Sequence, residues 1–174
     1  MEKSAIISNS NLYRYELHRT WDIDKGEVLF IMLNPSTANA WKDDLTTIRC
    51  INFAKKWGYG GISIGNIYPF RAKRPKDLKK WLGGLAGVNF SQIGFARDTN
   101  EDHVRAMANE ADITVCAWGC NNPRTPEWID DLADEVPLYY LELCKDGRTP
   151  KHPLGNLSKD LVPRHYNLNT IIDG

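Results

Sequence analysis

The sequence contains no long apolar run, no excess of either charge and few cysteines. No stretch approaches the ~20 apolar residues that a membrane helix needs, and the N-terminus lacks the apolar core of a signal peptide. Lys plus Arg and Asp plus Glu both number 22, so no global field attracts nucleic acid. We therefore expect a cytoplasmic protein with no membrane partner, and any nucleic-acid binding must come from a local basic face.

The four cysteines are scattered and form no Cys-x-x-Cys pair. Cys50, Cys116, Cys120 and Cys144 lack the spacings typical of a zinc ribbon or an iron–sulfur cluster. We expect reduced, partly buried thiols, and we predict no metal and no other cofactor.

The composition is that of an ordinary folded domain. Hydrophobic residues make up 42% of the chain and charged residues 25%, and six Trp and seven Tyr supply large packing surfaces. A length of 174 residues matches one domain, so we predict a single α/β domain over residues 1–174.

Alternation of strands and helices predicts the architecture. The segment Tyr13 to Leu17 alternates apolar and polar residues, as in a strand with one buried face. Continuous apolar segments predict four core strands, at Val28 to Leu33, Ile62 to Ile67, Ile113 to Trp118 and Leu138 to Leu143. Three helices are predicted between the core strands, at residues 45–57, 100–111 and 126–133. This order favours a three-layer α/β/α sandwich with a mainly parallel central sheet of about four core strands.

Two segments have more specific predictions. In the first helix an apolar stripe repeats every three residues, at Leu45, Ile48, Ile51, Ala54 and Trp57. Asp43 or Asp44 is predicted to cap this helix. Residues 83–94 fit neither helix nor strand, and both a mobile excursion over a pocket and a plain connection stay open.

Loops at the carboxyl ends of the strands carry the candidate site. In open α/β sheets ligands bind at that edge. Asn34 and Asn66 lie at strand ends, and His152 lies between Pro150 and Pro153. An Asn side chain can both donate to and accept from an amide-like edge, and His can donate to an oxygen that gains negative charge. These residue types suit a planar heterocycle.

Charged clusters offer further candidates. Asp44 and Arg49, within the cluster from residue 43 to 49, either bind a phosphate or sugar or act as an ordinary helix cap and surface pair. Arg71, Lys73 and Arg74 are candidates for contact with a nucleic-acid backbone, although a solvated loop and helix face is the simpler explanation.

Several motifs together resemble the uracil-DNA glycosylase superfamily. They are VLFIMLNPS from Val28, ISIGNIYPF from Ile62, ITVCAWG from Ile113 and KHPLGN from Lys151. The likeness runs from about Val28 to Leu157 and is nearest to the mismatch-specific uracil/thymine branch. The strings LNPSTA, DDLTTIRC and WGYGG also resemble an uncharacterised bacterial and phage domain family that we place beside those glycosylases.

The resemblance assigns roles to individual residues. It implies that Asn34, followed by Pro35 and Ser36, positions the attacking water, that Asn66 reads the pyrimidine edge, and that His152 stabilises the departing base. The remaining candidates are Gly155 and Asn156 for a phosphate and Trp41 and Phe70 for base stacking. Ser36 stands where the family has glycine, and Leu154 stands where it has serine.

The leading hypothesis is a nucleobase-binding protein that hydrolyses the N-glycosidic bond of a uracil-like or modified base. The alternative is a phage or defence-associated module that keeps the pocket without hydrolysis and binds a nucleotide, nucleic acid or protein. A nucleoside-modifying enzyme is a third possibility. The predicted partner is a nucleic acid or nucleotide, and the oligomeric state stays open.

Overall fold

The computed structural model describes residues 1–121 and 125–167. The strands in this part of the chain are β1 (Glu2–Ile7), β2 (Arg14–Thr20), β3 (Glu27–Met32), β4 (Gly61–Asn66), β5 (Ile113–Cys116), β6 (Leu138–Tyr140) and β7 (Arg164–His165). The α-helices are α1 (Leu45–Lys56), α2 (Pro75–Leu82), α3 (Phe90–Glu110) and α4 (Trp128–Glu135), and Ile23–Lys25 forms one 3₁₀ turn. None of these helices is long and apolar enough to cross a membrane.

All seven described strands belong to one mixed sheet with the order β1-β2-β4-β3-β5-β6-β7. The strands β4, β3, β5 and β6 pair in parallel, whereas β1, β2 and β7 join by antiparallel pairing. The α/β class is therefore confirmed. The expectation of a mainly parallel sheet of about four strands was too simple, because half of the strand pairings in the described chain are antiparallel and the sheet is wider.

Apolar side chains cover both faces of the sheet. On one face Val28 and Phe30 of β3 pack with the buried side of α1 and with Leu157 near the C-terminus. On the other face Leu29 and Ile31 pack against α2, α3 and α4. Because a strand alternates its side chains between two faces, the continuous apolar run of β3 reflects this double coverage.

Helix α1 buries only part of the predicted stripe: Ile51 and Ala54 are buried, whereas Leu45 and Ile48 are not. Its buried residues are Thr47, Cys50, Ile51, Phe53 and Ala54. Leu45 is 72% exposed and Ile48 is 45% exposed. A helix has about 3.6 residues per turn, so a strict three-residue repeat rotates around the axis and cannot stay on one face.

Residues 83–89 connect α2 to α3, and residues 90–94 already belong to α3. Gly84 turns the chain after α2 with a positive φ of 70°. Asn89 then caps α3, because its side chain accepts from Gln92 N at 2.9 Å and Gln92 Oε1 accepts from Asn89 N at 3.0 Å. Helix α3 thus begins at Phe90 rather than at Asn100. Its first turns escaped prediction because the exposed Phe90 and Phe95 obscure the apolar period.

Two of the four cysteines form a disulfide. Cys120 and Cys144 are bonded with their Cα atoms 5.7 Å apart, while Cys50 and Cys116 are free and buried. The expectation of reduced thiols was therefore wrong for one pair. Cys120 and Cys144 lie in the loops after the neighbouring parallel strands β5 and β6, and chain spacing does not show that these loops meet. Burial raises the pKa of both free thiols, which disfavours their thiolate forms.

Candidate ligand site

The loops after β3 and β4 run side by side at the carboxyl edge of the sheet. Backbone hydrogen bonds continue past the strands, from Ile67 N to Met32 O at 2.8 Å and from Tyr68 N to Leu33 O at 2.9 Å. Ala72 N donates to Pro35 O at 3.0 Å and closes the same pair of loops. This pairing brings together the segments that carry Asn34 and Asn66.

The side chain of Asn34 holds these two loops together. Its Nδ2 donates to the carbonyl oxygens of Phe70 at 3.4 Å and Ala72 at 2.9 Å, and also to that of Pro35 at 3.0 Å. No donor among the described residues reaches Oδ1. The amide nitrogen is therefore occupied, and only Oδ1 is left to accept from a water molecule or ligand.

Asn66 is paired with an arginine that sequence reasoning had not selected. Arg14 Nη2 donates to Asn66 Oδ1 at 3.3 Å, and Arg14 Nη1 donates to Ala38 O at 3.0 Å. Arg14 is 3% exposed and Asn66 is 1% exposed. Asn66 Nδ2 and Arg14 Nε are buried and have no acceptor in the described part of the chain. Two N–H donors are thus left without a partner at the end of β4.

The alternation of apolar and polar residues in β2 predicted that Arg14 faces solvent. The structure buries it because the loop after β3 folds over this end of β2, as the contact with Ala38 O shows. A period-two pattern reports which residues share a face, but not whether a distant loop covers that face. No local sequence signal would have found Arg14.

Asp44 links the Arg14 side of the site to His152. As the N-cap of α1 it accepts from Thr47 N and Thr47 Oγ1, both at 2.9 Å, through Oδ1. Burial lowers the pKa of Arg14 from its ordinary value to about 10, and the negative charge of Asp44 opposes that shift. Burial likewise lowers the pKa of His152, again opposed by Asp44. Arg14 is therefore charged and His152 is mainly neutral near pH 7.

His152 lies against the end of β5. Gly119 N donates to Pro150 O at 2.9 Å, and a Cβ added to Gly119 would lie 3.2 Å from the His152 Cβ. Gly119 also has a φ of +91°, a conformation that favours glycine. His152 Nδ1 accepts from Leu154 N at 3.2 Å, so the neutral ring carries its proton on Nε2. The imidazole is thus half-buried with Nε2–H as a donor.

Gly155 and Asn156 shape the turn that holds His152. Gly155 N donates to His152 O at 2.7 Å, and a Cβ on Gly155 would come within 2.9 Å of that oxygen. Asn156 has a left-handed φ of 57°. The geometry gives these two residues a structural task, and their predicted contact with a phosphate stays a prediction.

Other predicted site residues have different surroundings. Arg49 Nη2 donates to Leu157 O at 2.6 Å, and its guanidinium lies 4.7 Å from the Phe53 ring centre. Arg49 thereby fastens the C-terminal segment to α1. Pro35 is buried and Ser36 is exposed. Trp41 is 84% exposed, and Phe70 stacks on Trp81 with ring centres 5.3 Å apart, so neither ring forms an obvious wall for a base.

The three predicted backbone-binding cations differ in how they are engaged. Arg74 donates from Nε and Nη2 to Asp77 at 2.7 and 3.0 Å, which neutralises its charge. Arg71 Nη1 donates to Asn11, while Arg71 Nε is buried without an acceptor among the described residues. Lys73 is exposed. Within the described ranges, no group of three or more His, Cys, Asp or Glu side chains is arranged to hold a metal ion.

A family model described as "Protein of unknown function (DUF1643)" matches residues 14–154. The chain belongs to this DUF1643 family. No curated protein and no solved structure gives a significant match. The DUF1643 region begins at Arg14 and includes Asn34, Asn66, Arg71 and His152. The expectation of an uncharacterised domain family is confirmed at that level, and the resemblance to uracil-DNA glycosylases stays a prediction.

Proposed function

We propose that the chain binds a nucleobase or nucleotide at the carboxyl ends of β3, β4 and β5, in the manner of a uracil-DNA glycosylase-like protein. One observation carries this proposal: Asn66 Nδ2 is buried at the end of β4 and has no acceptor among the described residues. Leaving a buried donor unpaired costs about 1–3 kcal/mol. A ligand oxygen that accepts from Asn66 recovers that free energy.

The protein donors match a pyrimidine that carries carbonyl groups. Arg14 holds Asn66 Oδ1, so Nδ2 is the part of the amide that is left to donate. Neutral His152 offers Nε2–H from beside the end of β5, which β3 separates from β4. Two donors suit the two carbonyl oxygens of a uracil-like ring, whereas the amino groups of other bases need acceptors.

If the protein is an enzyme, the bond between the sugar C1′ and the base nitrogen breaks and the base leaves as an anion. His152 Nε2–H stabilises the oxygen that gains this charge. A water molecule that donates a hydrogen bond to Asn34 Oδ1 attacks C1′ and forms the new C1′–O bond. The proton that this water loses balances the charge of the departing base. Asp44 supplies a nearby negative charge that favours a cationic sugar.

Other observations support a protein that binds a base but does not cleave it, which we call the binding-only form. Three carbonyl oxygens share the Asn34 amide nitrogen, which makes this residue a fastener of loops. Ser36 and Leu154 also depart from the glycosylase motifs. A protein with this set of donors can therefore recognise a base without cleaving it.

The test is to incubate the protein with single- and double-stranded oligonucleotides that carry uracil, thymine mismatches or modified pyrimidines, and to measure abasic sites. If the chain is catalytic, His152→Ala lowers the rate on the order of a hundredfold, whereas His165→Ala on β7 leaves it unchanged. Thermal shifts with bases, nucleosides and nucleotides are measured in parallel. Stabilisation without product supports the binding-only form, and the absence of both product and stabilisation rejects the proposal.

A further inference from the structure

Arg14 and Arg71 are neighbours on a short antiparallel ladder beside the site. Arg14 N donates to Pro69 O at 3.0 Å and Arg71 N donates to Leu12 O at 2.9 Å, on either side of the bridge between Tyr13 and Phe70. In this register Arg14 and Arg71 are diagonal partners on one face of the ladder. Diagonal positions lie about 7–8 Å apart, within reach of long side chains.

The pair concentrates positive charge without a carboxylate in contact. Among the described residues, neither arginine forms a salt bridge, although Asp44 acts on Arg14 from a greater distance. Arg71 in turn repels the charge of Arg14. A buried charge without an ion-pair partner is costly. A negatively charged ligand group between the two guanidinium groups relieves that cost.

The unsatisfied donors belong to the same cluster. Arg14 Nε, Arg71 Nε and Asn66 Nδ2 are all buried N–H groups without an acceptor in the described chain. The other hydrogen bonds of the two arginines go to Ala38 O and Asn66 for Arg14, and to Asn11 for Arg71. Three donors around an excess of positive charge are typical of an oxyanion site.

We propose that Arg14 and Arg71 bind the phosphate of a nucleoside monophosphate. This inference rests on the proposed function and specifies its ligand class. The 3% exposure of Arg14, beneath the loop that carries Ala38, favours a small ligand over the backbone of a duplex. A terminal phosphate is a small group at the end of its molecule, whereas duplex phosphates are fixed at the surface of a wide helix.

Calorimetric titration tests this assignment with inorganic phosphate, the deoxynucleosides of A, G, C, T and U, their 5′-monophosphates and a single-stranded oligonucleotide. We expect at least one monophosphate to bind on the order of tenfold or more tightly than its nucleoside, as a charge-assisted contact implies. Inorganic phosphate should compete with that monophosphate. The oligonucleotide should bind no more tightly than the mononucleotide.

Variants distinguish a specific phosphate site from non-specific attraction by positive charge. Arg71→Gln should remove most of the preference for the monophosphate, and Arg14→Lys, which keeps the charge but loses the Nε donor, should reduce it. Arg164→Gln, on exposed β7, is the matched control and should leave it unchanged. Circular dichroism verifies folding; if Arg14→Lys fails to fold, Arg71→Gln alone decides.

Each outcome separates the two proposals. Equal affinities for nucleoside and monophosphate overturn the phosphate assignment but leave the nucleobase proposal standing. A third outcome is that inorganic phosphate binds in an Arg71-dependent way and that the monophosphates bind no more tightly than it does. This result supports the oxyanion site and rejects the nucleobase proposal. Equal losses in Arg71→Gln and Arg164→Gln, tighter binding of the oligonucleotide, or no binding of any probe overturn the phosphate assignment.

Discussion

At the scale of single residues, the chain buries two arginines of β2 in contrasting ways. Arg19 is fully buried, and its Nε donates to Asp43 Oδ1 at 2.6 Å while Nη2 donates to Asn39 O at 2.5 Å. Its charge is paired, and it holds the loop before α1 in place. Among the described residues, Arg14 has no carboxylate in contact and no acceptor for its Nε–H. This contrast supports the proposal that Arg14, rather than Arg19, binds a ligand.

Glu16 provides a pH-dependent contribution to stability. Burial raises the pKa of Glu16, but hydrogen bonds with His18 at 2.7 Å and His103 at 2.5 Å outweigh burial and lower it overall. A carboxylate with a lowered folded-state pKa stabilises the fold above its ordinary pKa and loses that contribution as pH falls through the folded value. We expect Glu16→Gln to be less stable than the parent at neutral pH.

Urea denaturation at pH 7, 5 and 3.5 measures this contribution. The difference in unfolding free energy between parent and Glu16→Gln should shrink between pH 5 and pH 3.5, where the carboxylate of the parent becomes protonated. Glu2→Gln, at an exposed position of β1, serves as the control and should show no such change. A difference that grows between pH 5 and pH 3.5 would contradict the assignment.

At the scale of elements, the start of α1 connects helix stability to the site. Asp44 caps the helix and also raises the pKa of His152 against the effect of burial. Asp44→Ala should cost about 1 kcal/mol of unfolding free energy, the usual value of an N-cap. Asp44→Asn should cost much less, because asparagine is an equally good cap. Both variants should lower the pKa of His152 further.

Chemical denaturation and an NMR titration of the His152 ring measure these two effects. A loss of stability in Asp44→Asn as large as that in Asp44→Ala would show that charge rather than capping supports the helix. An unchanged His152 pKa in both variants would show that Asp44 and His152 are not electrostatically connected.

At the scale of the whole molecule, the Cys120–Cys144 disulfide joins the loop after β5 to the segment that leads to His152. It closes a span of 24 residues, for which loop-closure entropy corresponds to about 3 kcal/mol of stability. The double variant Cys120→Ser/Cys144→Ser should lose about this amount, and a reductant should destabilise the parent but not the variant. The cytoplasm keeps most thiols reduced, and the cytoplasmic location expected from the sequence stays a prediction.

Denaturation with and without reductant decides the redox state of this pair. A parent protein whose stability does not respond to reductant would show that Cys120 and Cys144 remain thiols. The His152 ring signals should also change on reduction, because the bridge restrains the segment that positions this residue.

Strands and helices with a strong pattern in their own residues were easier to predict than those without one. The apolar runs that became β3 and β4 were visible because both sheet faces are covered. Edge strand β7 has only two residues, and β1 is half exposed, so neither produced a strong pattern. The start of α3 was missed because the exposed Phe90 and Phe95 obscure the buried stripe that begins with Ile93 and Ala96.

The sequence by itself determined the α/β class, the core strands and the strand-end positions of Asn34 and Asn66, since backbone periodicity and turn chemistry act over a few residues. Only the tertiary structure decided that Arg14 is buried against Asn66, that Asn34 fastens two loops, and that Cys120 meets Cys144. These outcomes depend on which distant loops share an edge of the sheet. That choice follows from packing of the whole chain, which no local pattern encodes.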